Sequence, residues 1–172
     1  MPQVLRSTGE QAYFQRCLET MSGIIRDCGF TYFYPPFEPR LWILYEIAEY
    51  VLTCSGGMAV TSDNEVFLQH VDELLESGVQ ATLAKHRYRC SYVRDRQYLT
   101  SWLELLVLLK RLHFDVELIR KIMSHLTWVN VSGSQFYGEM AVELNKFEGT
   151  LVVYGEKYTF TPFPQWASAS TA

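Results

Sequence analysis

The stretch from Asp95 to His113 constrains this chain more than any other. Tyr98, Leu99, Trp102, Leu103, Leu105, Leu106, Leu108, Leu109 and Leu112 leave its second half apolar on nearly every side. A helix of that kind has no broad solvent face, so it must be central, with other elements packed around it. The rest of the chain supplies those elements.

From Ser7 onward, Tyr13, Phe14, Cys17, Leu18, Met21, Ile24, Ile25 and Cys28 recur at three-and-four spacing, which gives one apolar helical face. Ser7 with Glu10 forms a capping box, and Gly29 suits the C-cap. A second helix is predicted from about Arg40 to Cys54, with Pro39 in its first turn. Ser62 with Glu65 reads as another capping box, opening a helix through about Ser77 that Gly78 ends. Val79 to His86 reads as a short helical piece and Arg87 to Arg94 as a loop. Asp115 caps a last helix, Val116 to about Trp128.

Strand signals are few. Phe30 to Tyr34 is aromatic and uncharged, which predicts a short buried strand that Pro35 and Pro36 end. After Asn130 the texture changes: Met140–Leu144, Leu151–Tyr154 and Tyr158–Thr161 read as a three-stranded antiparallel meander. So small a sheet must pack on the helices. The expected fold class is therefore α+β, mostly helical, in a single domain over 1–166. Its helical body covers about 7–130, the meander covers about 138–162, and 167–172 form a disordered tail. An α/β arrangement is the alternative if Met58–Thr61 pairs in parallel with Phe30–Tyr34.

The net charge of −4 argues against a nucleic-acid footprint. The densest basic run, Lys85 to Arg89, reads as a solvated turn. No apolar run is long enough to span a bilayer. Cys17, Cys28, Cys54 and Cys90 form no C-x-x-C, and with no signal peptide they read as reduced thiols of an intracellular, cytoplasmic protein.

The second helix carries the candidate chemistry. Trp42 and Glu46 share one face, and Glu49 joins them one turn on. A glutamate beside apolar and aromatic neighbours can have its charge disfavoured, which suits general acid or base work or the holding of a ribose or cation. Arg94 and Arg96, ahead of Tyr98 and Trp102, can form an anion clamp or pair with acidic helices nearby.

The order of helix, short apolar strand, turn and then Arg40-Leu-Trp42-Ile43-Leu-Tyr45-Glu46 resembles the middle of a Toll/interleukin receptor (TIR) domain, over roughly residues 10–55. Trp42 and Glu46 match that family's spacing, and Ile43 stands where Cys is usual. The resemblance implies a flavodoxin-like α/β scaffold used in signalling assembly. In the enzymatic branch it implies cleavage of NAD, with Glu46 as the catalytic carboxylate.

Other chemistries lack a local signature. His70, His86, His113 and His125 form no H-x-x-x-H, so no metal site is predicted, and His70 reads as a core histidine. There is no nucleophile elbow, and Ser132-Gly133-Ser134 reads as a turn rather than a phosphate loop. Two function classes stay open. The first is a protein–protein interaction module of signalling or defence, binding a protein partner or itself through an aromatic surface of Phe37, Arg40, Trp42, Tyr45, Glu49, Arg94 and Arg96, with no cofactor, nucleic acid or membrane. The second is a hydrolase acting on NAD as substrate through Glu46.

Overall fold

A computed structural model of the chain describes residues 7–28, 37–128, 133–137 and 140–165. Among these, six helices come first: α1 (Thr8–Cys28), α2 (Leu41–Thr53), α3 (Glu65–Ser77), α4 (Val79–Lys85), α5 (Val93–Arg111) and α6 (Val116–Trp128). Four strands follow: β1 (Gly133–Tyr137), β2 (Met140–Asn145), β3 (Thr150–Val153) and β4 (Glu156–Thr159). The α+β class, mostly helical with an antiparallel C-terminal sheet, is what the sequence predicts. The strand expected at Phe30–Tyr34, the Gly29 cap and the tail lie outside the described residues.

Helix α5 is as buried as its composition demands: Leu99, Leu103, Leu105, Leu106 and Leu109 are fully covered. It shares the centre with α2, whose Leu41, Leu44, Tyr45, Ile47 and Ala48 are equally covered. Helices α3 and α6 pack against both, α1 lies on α2 and α6, and α4 lies on α3 and α5. A two-helix centre arises because α2 carries no basic residue and one of its two glutamates is neutralised internally, as described below.

Local signals place most helix ends. The Ser7 amide donates to Glu10 Oε2 at 2.8 Å and the Glu10 amide donates to Ser7 Oγ at 3.3 Å, the reciprocal capping box. The Leu118 amide donates to Asp115 Oδ1 at 2.8 Å. Two expectations shift. The Ser62–Glu65 box before α3 gives way to a turn closed by the N-cap residue Asn64: its Oδ1 accepts from the Thr61 amide at 2.9 Å and its amide donates to the Thr61 carbonyl at 3.2 Å. Pro39 stands one residue before the N-cap of α2, Arg40, and its carbonyl accepts from the Arg89 amide at 2.7 Å. That bond and Leu41 N–H to the Arg89 carbonyl, 2.9 Å, tie the start of α2 to the segment before α5. Met58–Thr61 forms no strand, so it offers no partner for a parallel sheet.

The sheet has the order β1-β2-β3-β4 and is antiparallel throughout. It therefore has one strand more than the predicted meander, because Gly133 and Ser134, read as a turn, begin β1 and pair with Leu144 and Glu143. Strand β4 also begins earlier than expected, because Tyr154 and Gly155 form the turn at φ +52° and +80°. Positive φ at both central residues gives a two-residue hairpin turn whose twist matches its strands. Val142, Leu151 and Val153 face the common core. Beyond β4 the chain docks on α5: Phe163 packs edge-on to Tyr98 and Trp102, and Ser101 Oγ donates to the Pro162 carbonyl at 3.0 Å.

Candidate functional site

A groove of about 860 Å³ runs between α1, the start of α2 and the segment from Arg89 to Tyr92. Leu18, Met21, Trp42 and Ile43 give it an apolar lining. Glu38, Arg40, Glu46, Arg89 and Asp95 add charges of both signs. Arg40 Nε donates to Glu38 Oε2 at 2.8 Å in an exposed pair. Such a pair contributes little to stability and can open for a ligand. Cys90 also lines the groove, but burial pushes its thiol up, away from the reactive thiolate.

The structure separates the residues grouped on the α2 face. Glu46 is half-buried on the groove wall with Trp42. Tyr45 is fully buried, with its ring edge-on between Trp42 and Trp102, so it is a core residue and no part of an exposed aromatic surface. Glu49 is fully buried as well. Its Oε1 accepts from Arg26 at 2.6 Å and its Oε2 accepts from the Trp102 indole N–H at 2.5 Å. Burial pushes this carboxyl up, opposed by the Arg26 guanidinium and the Trp102 donor. Glu49 is therefore a structural anchor unavailable to a ligand. The shared face fails because three residues' advance turns Glu49 toward α1 and α5, where its donors stand.

Phe37 does not line the groove. It is 41% exposed and packs on Phe67 and His70, with ring centroids 4.9 and 5.7 Å away. Arg94 and Arg96 do not form a clamp beside Glu46. Arg94 donates to the Gln165 carbonyl at 3.2 Å, and Arg96 donates to the Tyr88 carbonyl at 2.7 Å. The cations that do line the groove are Arg40 and Arg89.

A second cluster went unseen in the sequence. His70, Glu73 and His86 each bring one ligand-type atom within 4.8 Å of the others. His70 and Glu73 are one turn apart on α3, and Gly78, at φ +92°, sets the abrupt turn into α4 that returns His86 to them. The two imidazoles stack at 3.6 Å. His86 Nε2 lies 2.5 Å from Glu73 Oε2, and the Lys85 ammonium holds the other Glu73 oxygen. These two donors hold the Glu73 carboxyl down to about 2. His70 Nδ1 meets the Tyr88 hydroxyl at 2.7 Å, and burial, then the neighbouring His86, pushes the His70 imidazole down toward its neutral form. The H-x-x-E spacing on a predicted helix was the one available signal. His86 enters only through the turn. Tyr88 adjoins Arg89, so the cluster and the groove are one residue apart along the chain.

The chain matches no family model, no curated protein and no solved structure. Among the described residues, no helix is long and apolar enough to cross a membrane.

Proposed function

We propose that this protein is an interaction module that seats a segment of a partner protein in the groove beside Trp42. The observation that carries this reading is the lining itself: an apolar strip of Leu18, Met21, Trp42 and Ile43, flanked by Arg40 and Arg89 and by Glu38 and Glu46. A strip of that kind desolvates an apolar anchor on the partner, and the flanking charges set its direction and exclude mismatched sequences. The partner segment is therefore amphipathic, with apolar side chains along one face and charges of both signs beside them. The four cysteines are free thiols, which fits a reducing intracellular setting, and signalling or defence is the work proposed for the module there.

Selection from a displayed peptide library against the purified chain tests the reading. Binders should share an apolar anchor, shift the amide resonances of groove residues, and lose at least about tenfold in affinity with Trp42→Ala, a truncation of a central aromatic contact. Binders indifferent to Trp42→Ala, or mapping elsewhere, would refute the groove as the docking surface. Concentration-dependent self-association abolished by the same substitution would make the partner a second copy of the chain.

A second reading is favoured by the position of Glu46 in the same groove as Arg40 and Arg89. A carboxylate beside an aromatic ring, with guanidinium groups in reach of a diphosphate, suits the NAD cleavage that the TIR resemblance implies. Nicotinamide release by the wild type that disappears in Glu46→Gln would establish that activity. Absence of release from both, across a concentration series, would remove it.

A further inference from the structure

We propose that His70, Glu73 and His86 form a binding site for a divalent transition metal of the zinc type. The donor set is two imidazoles and one carboxylate, which suits zinc and its borderline neighbours cobalt and nickel, and not the oxygen-seeking magnesium or calcium. The three ligand-type atoms already lie within 4.8 Å of one another. A tetrahedral zinc ion with bonds of about 2.0–2.1 Å sets its ligand atoms about 3.3 Å apart. To reach that spacing the 2.5 Å contact of His86 with Glu73 opens by about 0.8 Å, and a pair at the 4.8 Å limit closes by about 1.5 Å, both within the reach of side-chain rotation.

Three features point to a cation. A cation already sits on the carboxylate: the Lys85 ammonium pairs with Glu73, and its side chain is 64% exposed, so it can swing into solvent when a metal ion takes its place. The two imidazole centroids lie 3.6 Å apart, so both rings stand at the Glu73 carboxylate, and a turn of the partly exposed His86 ring out of the stack lets the two nitrogens converge on one ion. Tyr88 supplies the outer support such sites use. Its hydroxyl meets His70 Nδ1 at 2.7 Å, which fixes the ring and leaves Nε2 as the ligating nitrogen when Nδ1 carries the proton. Glu73 and His86 are partly exposed, at 18% and 22%, so an ion has a route in and water can fill the fourth position. Three protein ligands with water in the fourth place form an open site, the kind that can also bind or activate a ligand.

The test uses the full chain, stripped with chelator and then titrated with zinc chloride by calorimetry and with cobalt chloride followed by visible absorption. One ion per chain and the intense visible bands of tetrahedral cobalt are expected. Glu73→Gln and His86→Asn, both at partly exposed positions, should weaken binding by more than about 100-fold. Tyr88→Phe should weaken it by about 10-fold, the scale of an outer-shell loss. Lys85→Met should tighten binding, because it removes the competing cation and leaves the ligands in place. Circular dichroism checks that each variant stays folded. No saturable uptake by either the wild type or Lys85→Met would overturn the proposal. So would uptake that persists unchanged in the Glu73→Gln, His86→Asn double variant, which would place the ion elsewhere on the chain.

Discussion

Trp102 donates its indole N–H to Glu49 Oε2 at 2.5 Å, across 53 residues of sequence, and so locks α5 to α2 at the centre of the fold. Arg26 completes the arrangement from α1 at 2.6 Å, and its other nitrogen donates to Ser124 Oγ on α6 at 3.1 Å. One carboxylate thus joins three helices, and its arginine carries the link to a fourth. Both its oxygens are met by groups that can only donate, which is the arrangement an ionised carboxylate requires.

Arg26→Met breaks the pair from one side and leaves a buried carboxylate without its counter-charge. The expected loss at neutral pH is about 3–5 kcal/mol by denaturant unfolding. The pH dependence follows from the sign. Burial already pushes Glu49 up, and Arg26 is the main influence lowering it. Without Arg26 the folded-state value rises further above the unfolded one, so the folded variant holds its proton more tightly than the unfolded chain. Its stability then falls as pH climbs from the ordinary glutamate value of about 4.3 toward the raised one. The gap between wild type and variant should be small in acid and widen toward neutral pH. A gap independent of pH would show that Glu49 does not carry the effect.

Tyr45→Phe tests whether that residue serves binding or packing. The hydroxyl is buried beside that of Ser22, and among the described residues neither reaches a partner at full hydrogen-bond geometry, so the contact between them is a weak one. An unsatisfied buried hydroxyl costs about 1–3 kcal/mol. Its removal should leave the melting temperature unchanged or raise it, with peptide binding in the groove unaffected. A clear drop in melting temperature would reveal a bond that the hydroxyl makes.

The two tryptophans should separate sharply. Trp102 is 1% exposed, and Trp102→Ala opens a cavity and removes a donor from Glu49, with an expected cost of about 3–5 kcal/mol. Trp42 is half-buried on the groove wall. Trp42→Ala should cost clearly less stability while carrying the loss of binding described above. Equal costs would place Trp42 in the core.

Gly149 is the glycine that the sheet depends on. It lies at φ +66°, and a Cβ there would run into the Phe160 carbonyl oxygen, which accepts no such approach from backbone held in place. The Phe160 amide donates to the Gly149 carbonyl at 2.8 Å, so the two segments cannot simply part. Gly149→Ala should therefore exceed the roughly 1–2 kcal/mol of a left-handed residue alone. Gly155→Ala, at φ +80° with open space around it, should show little beyond that conformational cost. Matching losses at the two positions would remove the steric account.

Much of the helical framework could be read from the chain. Ser7 with Glu10 and Asp115 with Leu118 act across three residues, and the structure shows both. The box expected before α3 is replaced by a turn in which Asn64 Oδ1 accepts from the Thr61 amide, because Thr61 with Asn64 competes with Ser62 and Glu65 at the same spacing, and local chemistry does not separate them. Strand β1 escaped notice because Gly133 and Ser134 are turn-forming residues, and only pairing with β2 makes them extended. The site was less legible. Glu46 and Trp42 do share a wall, but Glu49 was grouped with them by spacing alone, and Tyr45 was given to the aromatic surface by residue type alone.

The sequence by itself determined the class of this protein: a helical body around an apolar α5, closed by an antiparallel sheet. Caps, breakers and hydrophobic period act within a turn or two of helix, so they survive without knowledge of what packs where. Only the tertiary structure decided which carboxylates reach the groove. Glu49 is held inside by Arg26 and Trp102, 23 and 53 residues away, while Glu46, three residues before it, stays on the groove. It also decided that His86 returns to His70 and Glu73, since a turn at Gly78 sets that meeting. Electrostatic and metal-ligand contacts act over a few ångströms in space, and helical periodicity says which way a side chain points without saying what will be there to meet it.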